Sequence, residues 1–439
     1  MVFGTTILGS NPSAPAKIMK KFIRNLTLTI SKYFLPFYNS KDIKLLFKNL
    51  ENGETKGKEV AMFVGGCVRN HLQSKKIEDI DIATIFTPDE VKKKLQHSKF
   101  KIIDTGVEHG SVTVVLENKK FELTTLRKDI RTDGRHAEIE TIDDWKEDSK
   151  RRDFTINAIY LNKKGKIFDP QQGINDLNNK VVKFIGDPQT RIEEDFLRII
   201  RFLRFSIQYD SSVENTTVQA IKLKLNGIKN LSKERVLSEL KKILKLEKFF
   251  MLVNNKELLE IFCLVFPEFE NIDRLKNFNL VKNYIENSEI LLLAILLVDL
   301  KNNHDYFSHK YKVPNKIHEN LYLLGNKFKD SKFDKEFFKK KLKNNLYDIG
   351  LKNLKILFCL NLLDKKKITL KEISFFQEIE RISIPKFPFD GKFLIKKGIQ
   401  EGKKIGKILK EAERFWVQND FNLSSEDIET IIKKNSSTN

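Results

Sequence analysis

Hydrophobic residues keep two different rhythms along this chain. Between residues 60 and 125 they form short runs or alternate with polar residues, the period of strands. Val60 to Val64 is one such run, closed by Gly65-Gly66, after which Cys67 to Leu72 reads as a helix start. Glu78 to Thr84 alternates; as a strand it places Asp79 and Asp81 on one face and Ile80 and Ile82 on the other. Ser111 to Leu116 and Phe121 to Thr125, joined by Glu117 to Lys120, read as a hairpin. Residues 191–207 then fall into helical spacing, with Ile192, Phe196, Ile199, Leu203 and Ile207 on one stripe. Asp195 and Arg198 lie together beside that stripe, on the side of Phe202 and Phe205, while Arg201 and Arg204 step around the back. A helix enclosed on most sides is therefore predicted.

From about residue 215 onward the helical spacing persists with little strand signal. Ser232 and Ser288 are predicted N-caps of helices that start with Lys233 and Glu289. The second, EILLLAILLVDL from Glu289 to Leu300, is too short to span a membrane and reads as a core helix. Lys327 to Lys343, rich in Lys and Phe, reads equally as a phosphate-holding face or an ordinary surface helix. Gly391 to Trp416 places three glycines before a Lys/Glu helix. The expected class is α+β: a small mixed sheet, followed by an all-helical remainder.

Length and composition narrow the setting. A chain of 439 residues suggests three or four domains. No stretch of about 18 apolar residues offers a membrane span. Three well-separated cysteines (Cys67, Cys263, Cys359) argue against a disulfide framework or a zinc site, and for a reducing cytoplasm. The 80 Lys plus Arg exceed 59 Asp plus Glu, giving a formal charge of +21, which suits a polyanionic partner such as nucleic acid. An AT-rich genome that fills surfaces with Lys accounts for bulk charge equally well. The arginines are more informative: only 15 of the basic residues are Arg, and 11 of them lie between Arg69 and Arg235. A chain that defaults to Lys keeps its planar, bidentate donors in one region.

Candidate chemistry falls in that region. A strand feeding Gly65-Gly66 and then a helix leaves backbone N–H groups that suit a phosphate. Asp79 and Asp81 on one face repel each other unless a cation lies between them, and hard oxygen ligands of this kind suit Mg²⁺. The plainer alternative is a solvated acidic strand edge. Glu122 is either a third carboxylate facing the same site or the polar face of its own strand.

VGGCVRN (Val64–Asn70), EDIDIAT (Glu78–Thr84), TGVEHGSVTVV (Thr105–Val115), RRDFTINAIY (Arg151–Tyr160) and EEDFLRIIRFLRF (Glu193–Phe205) together resemble the bacterial and eukaryotic type of CCA-adding tRNA nucleotidyltransferase. That family belongs with polymerase-β-like transferases and bacterial poly(A) polymerase. The resemblance is dense from about Ala61 to Leu240 and continues weakly to the C-terminus. It implies a leader over 1–40, a polymerase-β-like nucleotidyltransferase head over 41–180, a helical neck over 181–275, a helical body over 276–345 and a tRNA-binding helical tail over 346–439. It further implies Asp79 and Asp81 as metal-holding catalytic residues, and a nucleotide pocket formed by Gly66, Arg69, Arg152, Asp195, Arg198, Arg201 and Arg204. Asn157 would stand near the sugar. Mg²⁺ is the implied cofactor, and tRNA, CTP and ATP the implied partners; no protein partner is inferable.

The Asp195–Arg198 pair has a plain reading, an i,i+3 ion pair worth a few tenths of a kcal/mol. It also fits a chemical problem. Cytosine and adenine both present an amino donor beside a ring-nitrogen acceptor, and uracil and guanine reverse that order. A carboxylate next to a guanidinium accepts from the amino group and donates to the ring nitrogen, admitting C and A. In the resembled family the EDxxR motif, here Glu194 to Arg198, plays that template role.

Two departures from the family pattern are visible: Asn70 stands where Asp is usual, and Gln172-Gly173 replaces a more usual Gly-Gly. Thr105 to Thr113 lacks the basic, aromatic Gly-Arg-Arg-Phe-like segment of poly(A) polymerases, and Arg127 to His136 looks complete, unlike the loop of CC-only enzymes. An A-only enzyme, a poly(A) polymerase and a catalytically silent tRNA-binding protein remain the alternatives. His304-Asp305 lacks the partners of a phosphohydrolase motif and is expected in a loop. At the start, Gly9-Ser10-Asn11-Pro12 is encodable by the T-arm of a tRNA gene, so Met19 is an expected alternative start.

Overall fold

The computed structural model describes residues 36–53, 57–107, 110–132 and 137–436. The expectations for the leader over 1–40 lie almost entirely outside them, as do those for Met1 to Lys17 and Met19. The chain divides into two compact units, Met1–Gly227 and Ile228–Asn439.

Among the described residues every strand lies in the first unit. Seven form one sheet in the order β3-β4-β5-β2-β1-β8-β9. In chain order these are β1 (Ala61–Val64), β2 (Ile80–Thr84), β3 (Lys101–Ile103), β4 (Ser111–Leu116), β5 (Lys119–Thr125), β8 (Tyr160–Leu161) and β9 (Ile167–Phe168). Only β2 and β5 run parallel, and their register sets Asp81 beside Glu122. The predicted hairpin is present, with a tighter turn at Glu117-Asn118 in which Glu117 adopts φ 53°. A separate two-stranded ribbon, β6 (Arg127–Thr132) and β7 (Ala137–Thr141), carries an irregularity between Asp129 and Arg131.

Alternation decides what each face of the sheet meets. Phe63, Ile82, Phe121 and Leu123 are buried on one side. There α1 (Lys41–Leu50) contributes Ile43, Leu46, Phe47 and Leu50 at helical spacing, capped by Ser40. The Phe47 and Phe63 rings stand 5.1 Å apart. On the other side Met62, Val64, Ala83, Leu126 and Tyr160 form a second cluster, covered by Ile85, Ile142 and Trp145. Asp81 projects from this second side, since it lies two residues before Ala83.

The predicted helix over 191–207 is two helices. α6 (Pro188–Glu194) ends at Asp195, whose backbone is extended (φ −157°, ψ 105°), and α7 (Leu197–Tyr209) begins after Phe196. The enclosure predicted for it holds: Ile199, Phe202, Leu203, Phe205 and Ile207 are all buried. Phe196, assigned to the buried stripe, sits at the break and is only half-buried. Gly227 lies against its ring, where a Cβ would come within 2.0 Å. The altered loop at Gln172-Gly173 has a visible cost. Gln172 adopts φ 58°, and Gly173 packs so closely that a Cβ would meet the Thr155 carbonyl oxygen at 2.2 Å.

The second unit is helical throughout its described residues. Ser232 accepts from Arg235 N and Ser288 from Leu291 N, so both predicted caps are in place. The apolar helix is shorter than its sequence run, Glu289–Leu297, with Leu291 to Leu297 all buried. Lys327 to Lys343 is no single helix: it straddles the end of the helix Asn315–Phe333, and the next helix starts at Leu342. His304 corrects another expectation. It lies inside the helix Asn303–Lys310 and is 1% exposed, packed against Gly325. Gly391 to Trp416 forms two helices around Leu394, Ile408, Ala412, Ile428 and Ile431. Among the described residues no helix is long and apolar enough to cross a membrane.

Candidate active site

The site grows from the end of β2. Gly65 has φ 73°, a conformation that favours glycine, and a Cβ there would stand 3.4 Å from Asp81 Oδ2. The turn therefore brings backbone against the carboxylate before α2 (Gly66–Leu72) begins. Cys67 Sγ donates to Val64 O and Asp81 O, and burial with Asp81 nearby pushes its thiol up to about 11, which keeps it inert.

Asp81 is partly buried beside Glu122; the strand starts at Ile80, later than predicted, so Asp79 lies exposed just ahead of it. Burial, then Glu122, then Asp79 raise its pKa to about 6, against the opposing pull of Arg152 and Arg69. Three carboxylates that act on one another are the charge pattern that a divalent cation relieves. The residues fit a metal, which Asp79 and Asp81 could hold with Glu122 alongside. Glu122 therefore faces the site, the first of the two readings left open for it.

The arginines are fixed by buried carboxylates. Asp148, in α4 (Trp145–Lys150), is fully buried. It accepts from Arg151 Nη2 at 2.7 Å, Arg152 Nη2 at 3.1 Å and Tyr160 OH at 2.6 Å. Burial pushes its carboxyl up, but Arg152, Arg151 and the Tyr160 hydroxyl outweigh it and hold the pKa at about 2. Asp153 plays the same part for Arg201, accepting at 2.7 Å from Nε, and it also accepts from Asn157 Nδ2 at 2.6 Å. Burial raises Asp153 too, and Arg201, Asn157 and Arg198 pull it well below the usual carboxylate range. Asn157 Oδ1 accepts from Arg69 Nη1, and Arg69 Nε donates to Tyr209 OH at 3.0 Å. Arg69, Arg201 and Arg204 gather around the Phe205 ring, at 4.9, 5.8 and 4.0 Å from its centroid.

The structure thus brings Gly66, Arg69, Asp81 and Arg152 to one sheet face, and Arg201 and Arg204 to one aromatic ring. Asp195 and Arg198 are differently placed from the expected pair on one helix. Asp195 Oδ1 accepts from Leu197 N at 3.1 Å, tying the helix break, and Arg198 Nη1 donates to Glu194 Oε2 and Arg191 O at 2.5 and 2.7 Å. The reason is geometric: the break at Asp195 turns its side chain onto the next helix, and Glu194 stands four residues before Arg198. Glu194, Arg191, Asp148 and Asp153 were missed in sequence. Glu194 and Asp148 had a legible signal, an acid four residues before an arginine (Glu194–Arg198, Asp148–Arg152).

Comparison with known proteins places the chain in a family. Residues 61–183 match the family described as "Poly A polymerase head domain". The mitochondrial CCA tRNA nucleotidyltransferase 1 of Danio rerio is 33% identical over 385 residues, covering 83% of this chain and 85% of that protein. The chain belongs to the CCA tRNA nucleotidyltransferase family. Within that family, the CCA-adding enzyme of Staphylococcus haemolyticus is 42% identical over 198 residues, covering 45% of this chain and 48% of that protein. The fold is shared with the Bacillus stearothermophilus CCA-adding enzyme solved in complex with CTP. Its TM-score is 0.66 at 23% identity, covering 91% of this chain and 98% of that one. The Thermotoga maritima CCA-adding enzyme solved with tRNA gives 0.62 at 19% identity, covering 90% and 96%. The polymerase-β-like head with a helical remainder is the fold of this family, and the chain is a nucleotidyltransferase, a class of enzyme that works with a divalent metal ion.

Proposed function

We propose that the chain adds C, C and A to the 3′ end of tRNA from CTP and ATP, releasing pyrophosphate. The observation that carries this is the crowding of Asp81, Glu122 and Asp79 within reach of Arg152 and Arg69, in a chain of this family. Asp79 and Asp81 would hold two Mg²⁺ ions. When bound, such ions supply Lewis-acid activation of the tRNA 3′ hydroxyl and neutralise the triphosphate. Arg152, held in place by Asp148, meets the triphosphate, while Gly66 and Arg69 border the nucleotide. The 3′ hydroxyl then attacks the α-phosphate in line, and the P–O bond to pyrophosphate breaks.

Asp195 and Arg198 read the base. Glu194 and the Arg191 carbonyl orient the guanidinium through Nη1 alone, and Arg201 and Arg204 border the same pocket around Phe205. The neck over 181–275 carries these residues. The body over 276–345 and the Lys-rich tail over 346–439 bind tRNA by shape and phosphate contact, so binding weakens steeply as salt rises. Three unpaired cysteines favour the cytoplasm. Since relatives carry mitochondrial names, subcellular fractionation is the measurement that decides.

The test is a tRNA lacking its 3′ end, incubated with CTP and ATP singly and together and then sequenced. Full CCA supports the reading; A alone, or a long A tail, replaces it with an A-only enzyme or a poly(A) polymerase. Arg198→Ala is expected to lower the preference for C over U by roughly 10–100-fold, the worth of one hydrogen bond to a charged group. An unchanged base preference would remove Arg198 from the reading role.

A further inference from the structure

Among the described residues outside the proposed nucleotide site, one group of side chains is arranged as ligands. Asp305 and His309 stand one turn apart in the helix Asn303–Lys310, so they leave the same face. His318 comes from the following helix, Asn315–Phe333, across a short connection. His318 Nε2 lies 3.0 Å from Asp305 Oδ1, and His309 Nε2 lies 3.5 Å from that same oxygen. The two imidazole rings stand 5.1 Å apart at 70°, and the three ligand atoms all lie within 4.8 Å of one another. As plain hydrogen bonds, both ring nitrogens would have to donate to a single oxygen. As ligands, all three would point lone pairs at one cation.

The distances accommodate the second arrangement. Ligand atoms about 2.0–2.1 Å from a tetrahedral centre stand about 3.3 Å apart, close to two of the edges already present. The His309 side chain is 71% exposed, which leaves solvent to fill a fourth position. Two imidazoles with one carboxylate select zinc, cobalt or nickel over magnesium, unlike the all-carboxylate set at Asp79 and Asp81.

We propose that Asp305, His309 and His318 bind one zinc-class divalent cation, which fastens these two helices from the outside. The test uses the full chain, stripped with a chelator and carrying Asp79→Asn and Asp81→Asn so that the carboxylates of the nucleotide site do not compete. Titration with Co²⁺ is expected to give one equivalent of the intense visible absorption of tetrahedral cobalt, displaced by Zn²⁺ and not by Mg²⁺. His309→Ala and His318→Ala are each expected to weaken binding at least about tenfold, with circular dichroism unchanged. In the otherwise unaltered chain, His309→Ala should leave nucleotide incorporation with Mg²⁺ as it was. Absence of the tetrahedral band, a band indifferent to His309→Ala, or displacement by Mg²⁺ as easily as by Zn²⁺ would each overturn the assignment.

Discussion

An Asp81→Asn variant is expected to lose nucleotide incorporation by about a thousandfold and yet to melt at a higher temperature than the parent chain. Loss of activity follows from the metal: several kcal/mol of charge stabilisation corresponds to about three powers of ten in rate. The gain in stability follows from the pKa. Burial, Glu122 and Asp79 lift the Asp81 carboxyl from 3.8 to about 6, so the folded chain holds its proton more tightly than the unfolded chain. Below about pH 4 both states are protonated and the group is neutral in effect. As pH rises through 6 the folded chain must carry a crowded charge, at a cost on the order of 2–3 kcal/mol. Asparagine removes that cost, raising the melting temperature of the metal-free protein by about 4–8 °C at neutral pH. The difference should shrink towards pH 4, and saturating Mg²⁺ should restore stability to the parent alone. A variant that melts at or below the parent at neutral pH without metal would show that Asp81 is not held against repulsion.

How far this site could be read in the sequence depends on the kind of signal. The strand carrying Asp81 was legible because alternation has period two and puts Ile82 in the core, although it starts at Ile80 and leaves Asp79 just outside. The hairpin was legible for the same reason. The ribbon of β6 and β7 was not recognised, since RKDIRT and AEIET hold one large apolar residue each, Ile130 and Ile139, too few to set a period. The helix break at Asp195 was hidden because the apolar stripe runs through it: Ile192 and Ile199 are both buried, on different helices. Phase survives a one-residue kink, so periodicity reports the buried face and not the continuity of hydrogen bonds. That is why Asp195 and Arg198 were legible as site candidates while their separation by the helix break was not. His304 illustrates a different limit. A lone histidine among polar neighbours gives no hint of burial, and its place against Gly325 depends on a residue 21 positions away.

The second large effect belongs to a residue that the sequence did not single out. Asp148→Ala is expected to destabilise the chain by about 3–5 kcal/mol, because a fully buried carboxylate leaves two guanidiniums without their counter-charge. The sign of its pH dependence is opposite to that of Asp81. Burial opposes its charge, but Arg152, Arg151 and Tyr160 hold its pKa at about 2 against an ordinary 3.8. Its contribution is therefore complete above about pH 4 and is lost as pH falls towards 2. Thermal unfolding at pH 7 and near pH 3 measures this: the parent and the variant should differ by most at neutral pH and converge in acid. Loss of the carboxylate also frees Arg152 from the Tyr160 hydroxyl side of the sheet, so the KM for both CTP and ATP should rise while base preference stays unchanged. Asp148→Asn keeps an acceptor for Tyr160 and Arg152 and should fall between the two. A stability within about 1 kcal/mol of the parent would refute the anchoring role, because one buried acid cannot hold two arginines in place and be dispensable. The two acids face opposite demands: crowding lifts Asp81 towards protonation, which a cation at the proposed site would relieve, and Arg151 and Arg152 keep Asp148 charged, which holds the proposed triphosphate-binding Arg152 in place.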